Sequence, residues 1–148
     1  MVVDVANVMG ARPDGWWRDR AGAARRLCLE VKALAARPGG PDSGVPEVSD
    51  VAAWVLVLEG QAREAVALLA DELNDLDEGI EERSDGEPAL VRLVEAPGSG
   101  DDTIVSVVAD ALARSESCLV VTADRELRAR CEELNASVVG PGWLLRLL

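Results

Sequence analysis

Five short strand-like runs punctuate the chain, and between them the apolar residues fall at helical rather than alternating spacing. The runs are Val2–Ala6, Ala52–Leu58, Leu90–Val94, Cys118–Val121 and Ser137–Val139. The second is apolar without interruption, which suits a strand covered on both faces. Trp17, Ala21, Ala24, Cys28, Val31 and Ala35 recur with helical period, so a helix is expected over roughly 15–36, capped by Asp14 and stopped by Arg37-Pro38-Gly39-Gly40-Pro41. Ala62, Val66, Leu69 and Leu73 mark a second helix, Ile104, Val105, Val108 and Leu112 a third, and Leu127, Cys131 and Leu134 a fourth. Regular alternation of strand and helix predicts an α/β fold: three α/β/α layers around a mostly parallel, roughly five-stranded sheet.

A chain of 148 residues is long enough for one compact core, and a single domain over 1–148 is expected. Residues 38–50, rich in Gly, Pro, Ser and Asp, and residues 71–89 read as surface loops. No apolar run approaches the ~20 residues of a membrane span, and the strand signal begins at Val2, which leaves no space for a secretory leader. A cytoplasmic protein with no membrane partner is the expectation. Trp143, Leu144, Leu145, Leu147 and Leu148 read as a terminal segment closing the core, with a homodimer contact as the alternative.

What the chain lacks narrows the chemistry. It has no His, which removes Ser-His-Asp and Cys-His catalysis and His-ligated zinc. Cys28, Cys118 and Cys131 are odd in number and widely spaced on apolar faces, so they read as reduced core residues. With no Tyr or Phe, any stacking on a nucleobase falls to Trp16, Trp17, Trp54 or Trp143. Carboxylates are left to carry the reaction. The net charge of −12 is unfavourable for nucleic acid, yet it is unevenly spread: residues 71–87 hold nine acidic side chains and one Arg, whereas residues 1–40 carry a net +3.

Functional groups of a parallel sheet gather where strands end and helices begin. Asp4 ends the first strand, Glu59 follows the second and Asp124 the fourth, while Asp101 and Asp102 open the helix after the third. Asp101 shares a face with Val105, Val108 and Leu112, and Asp102 is turned about 100° from it. Carboxylates this crowded repel by roughly 1–4 kcal/mol per pair at surface-like dielectric, and with no Lys or His beside them a divalent cation is the natural counterion. An all-oxygen donor set selects Mg²⁺ or Mn²⁺. Asp101, Asp102 and Asp124 can each be read instead as helix caps. Asp4, set in a β-branched run with no helix expected beside it, has no such capping role.

Three blocks then carry a resemblance: Val-Val-Asp-x-x-Asn at residues 2–7, Gly-Ser-Gly-Asp-Asp-x-Ile at 98–104, and Val-Val-Thr-Ala-Asp-Arg-Glu-Leu at 120–127. In that order they resemble the NYN branch of the PIN-like nucleases, in particular the YacP-like NYN domains. The resemblance implies a three-layer fold and a metal-dependent ribonuclease that hydrolyses RNA phosphodiester bonds with Mg²⁺ or Mn²⁺. It implies Asp4, Asp101, Asp102 and Asp124 as catalytic metal ligands, with Glu59 beside them, and Asn7 as a group orienting Asp4 or the phosphate. Arg12, Arg18 and Arg25 would guide the RNA backbone, with Thr122 and Arg125 supporting the site. Val5 stands where the pattern has Gly, and Glu59 where related domains often have Asp.

Other acidic α/β sites agree less well with the residues. A haloacid-dehalogenase phosphatase needs a second Asp at the position of Ala6, and a receiver domain needs a late Lys where the chain has only Lys32. A dinucleotide loop at Gly98-Ser99-Gly100 would meet Asp101 and Asp102 at the pyrophosphate. The alternative from another class is a PIN-like module that binds RNA or protein without catalysis.

Overall fold

Val2 and Val3 are both buried, on opposite sides of one strand, and this alternation organises the whole molecule. A computed structural model of the chain describes residues 1–37, 51–73 and 89–148. Five parallel strands lie in the order β3-β2-β1-β4-β5, where β1 is Val2–Asp4, β2 Ala53–Leu58, β3 Leu90–Glu95, β4 Leu119–Val121 and β5 Ser137–Val139. Val3, Leu56, Leu58 and Val121 pack on one face, and Val2, Val57 and Val120 on the other. Both faces are covered, which explains the unbroken apolar run of β2.

The helices divide accordingly. α1 (Val5–Gly10), α2 (Arg20–Ala35), α3 (Glu64–Leu73) and α6 (Pro141–Leu145) contribute to the first core, and α4 (Gly100–Ala113) and α5 (Arg125–Glu133) to the second. The expected three-layer α/β/α arrangement is therefore present, with a sheet that is wholly parallel. The loops expected over 38–50 and 71–89 lie outside the described residues except at 71–73 and 89, as does most of the acidic run 71–87. Leu144 is buried, and Trp143, Leu145, Leu147 and Leu148 lie half-buried against the first core, so the terminal segment does close it.

Two local expectations are corrected. The first strand does not reach Ala6. It stops at Asp4, and α1 begins at Val5 without a loop, because the Asp4 carboxylate accepts the Asn7 N–H at 3.0 Å and caps the helix. That cap outweighs the strand preference of Val5, and Asp4 has the capping role that its β-branched neighbours concealed. The helix expected over 15–36 is two elements. Gly15, at φ +77°, leads into a 3₁₀ turn at Trp16–Arg18, and α2 starts only at Arg20, capped by Asp19 through the Gly22 N–H at 2.8 Å. Asp14 accepts the Trp16 N–H instead, and Trp17, expected on the buried face, is exposed.

The order of strands sets the site. The chain proceeds from β1 outward through β2 to β3, then returns to add β4 and β5 on the other side of β1. The reversal falls between β1 and β4, the crevice where parallel sheets bind ligands. Trp54 anchors the flanking β2 against α2 and α3 with 1% of its surface exposed. Trp54→Ala is expected to cost about 3–5 kcal/mol in urea unfolding, as for other buried aromatic truncations.

Candidate active site

A cleft of about 500 Å³ opens at the carboxyl edge of the sheet, lined by Asp4, Ala6, Asn7, Gly10, Ala11, Glu59, Asp101, Ala123 and Asp124. It gathers the ends of β1, β2 and β4 and the first turn of α4, as the strand order requires.

Asp4 is the buried member, 8% exposed. One carboxylate oxygen accepts the Asn7 N–H, and the other accepts the Thr122 hydroxyl at 2.9 Å. Thr122 is wholly buried and also accepts the Asp124 N–H at 3.1 Å, so it links the two acids. The Asn7 side-chain oxygen accepts the Ala123 N–H at 2.9 Å, a second tie between α1 and the end of β4. Each carboxylate oxygen has two lone pairs, so these bonds orient Asp4 without exhausting it. Burial pushes its pKa up; the Asn7 and Thr122 hydrogen bonds oppose this, and the charges of Asp101 and Glu59 add to it.

The other carboxylates are held at helix starts. One Asp124 oxygen accepts the Glu126 and Leu127 N–H groups at 2.8 and 2.9 Å and caps α5. Glu59 reaches from the end of β2 to accept the Gly100 N–H at 2.8 Å. A Cβ on Gly100 would come within 2.6 Å of that same Glu59 oxygen, so a side chain there displaces Glu59. Ser99, not Asp101 or Asp102, is the cap of α4. Asp101 accepts no hydrogen bond from the described residues; its pKa is raised by burial first, then by Asp124 and Glu59, and Arg130 opposes the rise. Three positive helix ends thus face the acids and offset part of their repulsion.

Of the residues expected from the sequence, the structure brings Asp4, Asn7, Glu59, Asp101 and Asp124 into one cleft, with Thr122 beneath Asp4. It does not bring Asp102 there: its exposed side chain pairs with Arg130 at 2.7 Å, a partner one helix away that spacing within the sequence does not reveal. Arg12 is paired with Glu30 of α2, Arg25 lies midway along α2, Arg18 ends the 3₁₀ turn and Arg125 starts α5; none lines the cleft. Val5 is fully buried in the core and also stands apart from the lining, so the Gly-to-Val departure leaves the cleft open. The roles of Gly100, Ser99 and Arg130 escaped the sequence reading; a Ser just before the helical run was the available hint for the cap.

The donor chemistry suits a hard cation: all oxygen, with both Asp101 oxygens and one oxygen each of Glu59 and Asp124 outside any hydrogen bond to the described residues. Among the described residues, no three Asp, Glu or Cys side chains form a group that would hold one ion. Comparison with protein-family models, curated proteins and solved structures finds no significant match to the chain.

Two outcomes follow from this geometry. Thr122→Val leaves a buried carboxylate oxygen without its donor and is expected to lower stability by about 1–3 kcal/mol in chemical denaturation, while Thr122→Ser retains most of it. The raised pKa of Asp101 means that the folded state binds its proton more tightly than the unfolded chain. Its contribution is therefore fully present below the unfolded pKa of about 4 and is lost as pH rises through the higher folded value. Asp101→Asn should accordingly be stabilised relative to the wild type above that window, with the difference shrinking towards pH 4, as read from metal-free thermal melts across pH.

Proposed function

We propose that this chain is a PIN-like, NYN-type ribonuclease that hydrolyses RNA phosphodiester bonds with Mg²⁺ or Mn²⁺. The observation that carries the reading is the convergence of Asp4, Glu59, Asp101 and Asp124 on one cleft at the reversal point of a parallel sheet. These residues are dispersed over more than a hundred positions of sequence, and the three blocks that resemble NYN domains contribute all of them but Glu59.

In this reading Asp101, Asp124 and Glu59 would hold the cation beside Asp4, whose orientation is kept by Thr122 and the Asn7 amide. Such an ion would supply Lewis acidity toward a phosphodiester and neutralise charge on its oxygens. Asn7, bonded to Ala123, keeps the ends of β1 and β4 at a constant separation, and with it Asp4 and Asp124. Asp102 is outside this set and serves the α4–α5 contact through Arg130.

A second reading, a PIN-like module that binds without cleaving, is favoured by one observation: Asp4, Glu59 and Asp124 each already have a structural task, and no three acids form a ligand group among the described residues. The experiment that separates them is titration with Mn²⁺ in a calorimeter, paired with cleavage of a single-stranded RNA. The nuclease reading expects Mn²⁺ binding, a melting temperature that rises with Mn²⁺ by mass action, worth about 2.7 kcal/mol at one hundred times Kd, and loss of that response in Asp101→Asn/Asp124→Asn. Cleavage should fall by more than the roughly 10–100-fold that outer partners of a metal usually cost. A wild type that binds no divalent ion, or a double variant that cleaves at the wild-type rate, sinks it.

A further inference from the structure

Four tryptophans are available to this chain for stacking, and burial separates them sharply. Trp54 is buried in the core, and Trp143 packs half-buried against it. Trp17 is 58% exposed, on a 3₁₀ turn where nothing in the core requires an indole. Trp16 meets it edge to face, with ring centroids 6.1 Å apart, and the Arg20 guanidinium lies over the Trp16 ring at 5.3 Å.

Trp16 adjoins the cleft. Gly10 and Ala11 form part of its lining, and a Cβ built on Gly10 would lie 4.0 Å from the Trp16 ring. The turn is also basic, in an otherwise acidic chain: between residues 12 and 26 stand five arginines and two aspartates, with Arg18 and Arg20 flanking the indoles. Asp14 and Asp19 are each engaged with a backbone N–H, Asp14 with that of Trp16 and Asp19 with that of Gly22. An exposed aromatic face, braced edge to face by a neighbouring indole and flanked by guanidinium groups, is the combination that binds single-stranded nucleic acid without reading its sequence.

We infer that Trp17, braced by Trp16 and flanked by Arg18 and Arg20, is a stacking platform for an unpaired base of single-stranded RNA whose backbone continues across Gly10 and Ala11 into the carboxylate cleft. The choice of RNA rests on the ribonuclease reading above. The platform supplies what the cleft lacks, because among the described residues no basic side chain lines the cleft and its own charge repels phosphate. Duplex RNA offers no unpaired base to stack, so the platform selects for single strands.

The test is fluorescence anisotropy of a labelled oligouridylate octamer on the full chain in EDTA at low salt, with cleavage in Mn²⁺ measured in parallel. Trp17→Ala should weaken binding about 5- to 150-fold, the range for losing one base–aromatic stack, and Trp17→Phe should keep most of the affinity. A blunt RNA duplex should bind the wild type and Trp17→Ala alike. Because Trp17 is exposed, its variants should melt with the wild type, which separates loss of a platform from loss of fold. Equal octamer affinity for wild type and Trp17→Ala, or no octamer binding by the wild type, overturns the inference. Binding that depends on Trp17 in a protein that does not cleave in Mn²⁺ supports the platform and refutes the nuclease reading instead.

Discussion

The hydrogen bond from Thr122 to Asp4 joins residues 118 positions apart, and the functional edge of the molecule is built on it. A carboxylate removed from water is costly unless donors replace its hydration. Here the donors are the Thr122 hydroxyl and the Asn7 N–H, one from the far end of the chain and one from the helix that Asp4 itself starts. Thr122 then accepts from the Asp124 backbone, and Asn7 accepts from Ala123. The ends of β1 and β4, which carry the chain in from opposite halves of the sheet, are therefore bound into one polar network. Because every buried member is satisfied, the network can be rigid without being a liability.

That network also explains how so many acids coexist. Asp4 and Asp124 cap helices, Glu59 binds the first N–H of α4, and Asp101 sits in the first turn of the same helix. Helix starts carry partial positive charge and unpaired N–H groups, so each acid finds local compensation before any ion is considered. The compensation is incomplete for Asp4 and Asp101, whose pKa values stay raised by burial and by their neighbours. Structural capping and an acidic cleft are thus two consequences of one arrangement.

Charge is divided in the same way on a larger scale. The cleft has an acidic lining, while the turn beside it combines two indoles with arginines. Net charge reports neither, because the acidic run 71–87 dominates the total. Arg12, which the resemblance implied as a guide for the RNA backbone, is instead held by Glu30, and Asp102 by Arg130. Both pairings cross between elements, and so depend on where helices pack.

Much of the architecture was legible because it follows from local pattern. Apolar runs bounded by turn residues marked all five strands, and Ser137–Val139 has the bounds its β-branched pair suggested. The parallel sheet followed from alternation, since parallel neighbours require a crossover and a helix is the usual one. The acids near strand ends were likewise visible, because each lies in or just after an apolar run, although where the first run stops was decided by the Asp4 cap. Helix starts were less so: Asp14 and Asp19 are both competent caps, and which one begins α2 depended on the backbone at Gly15. The capping role of Asp4 was hidden by Val5, whose propensity points to a strand and whose actual state is decided by a hydrogen bond and by burial against α2. Composition and spacing determined the layers, the strands and the supply of carboxylates. Tertiary structure alone decided which of those carboxylates share a cleft, which arginine is already paired and which tryptophan remains exposed, because each of these depends on contacts between residues that only packing brings within a few ångströms.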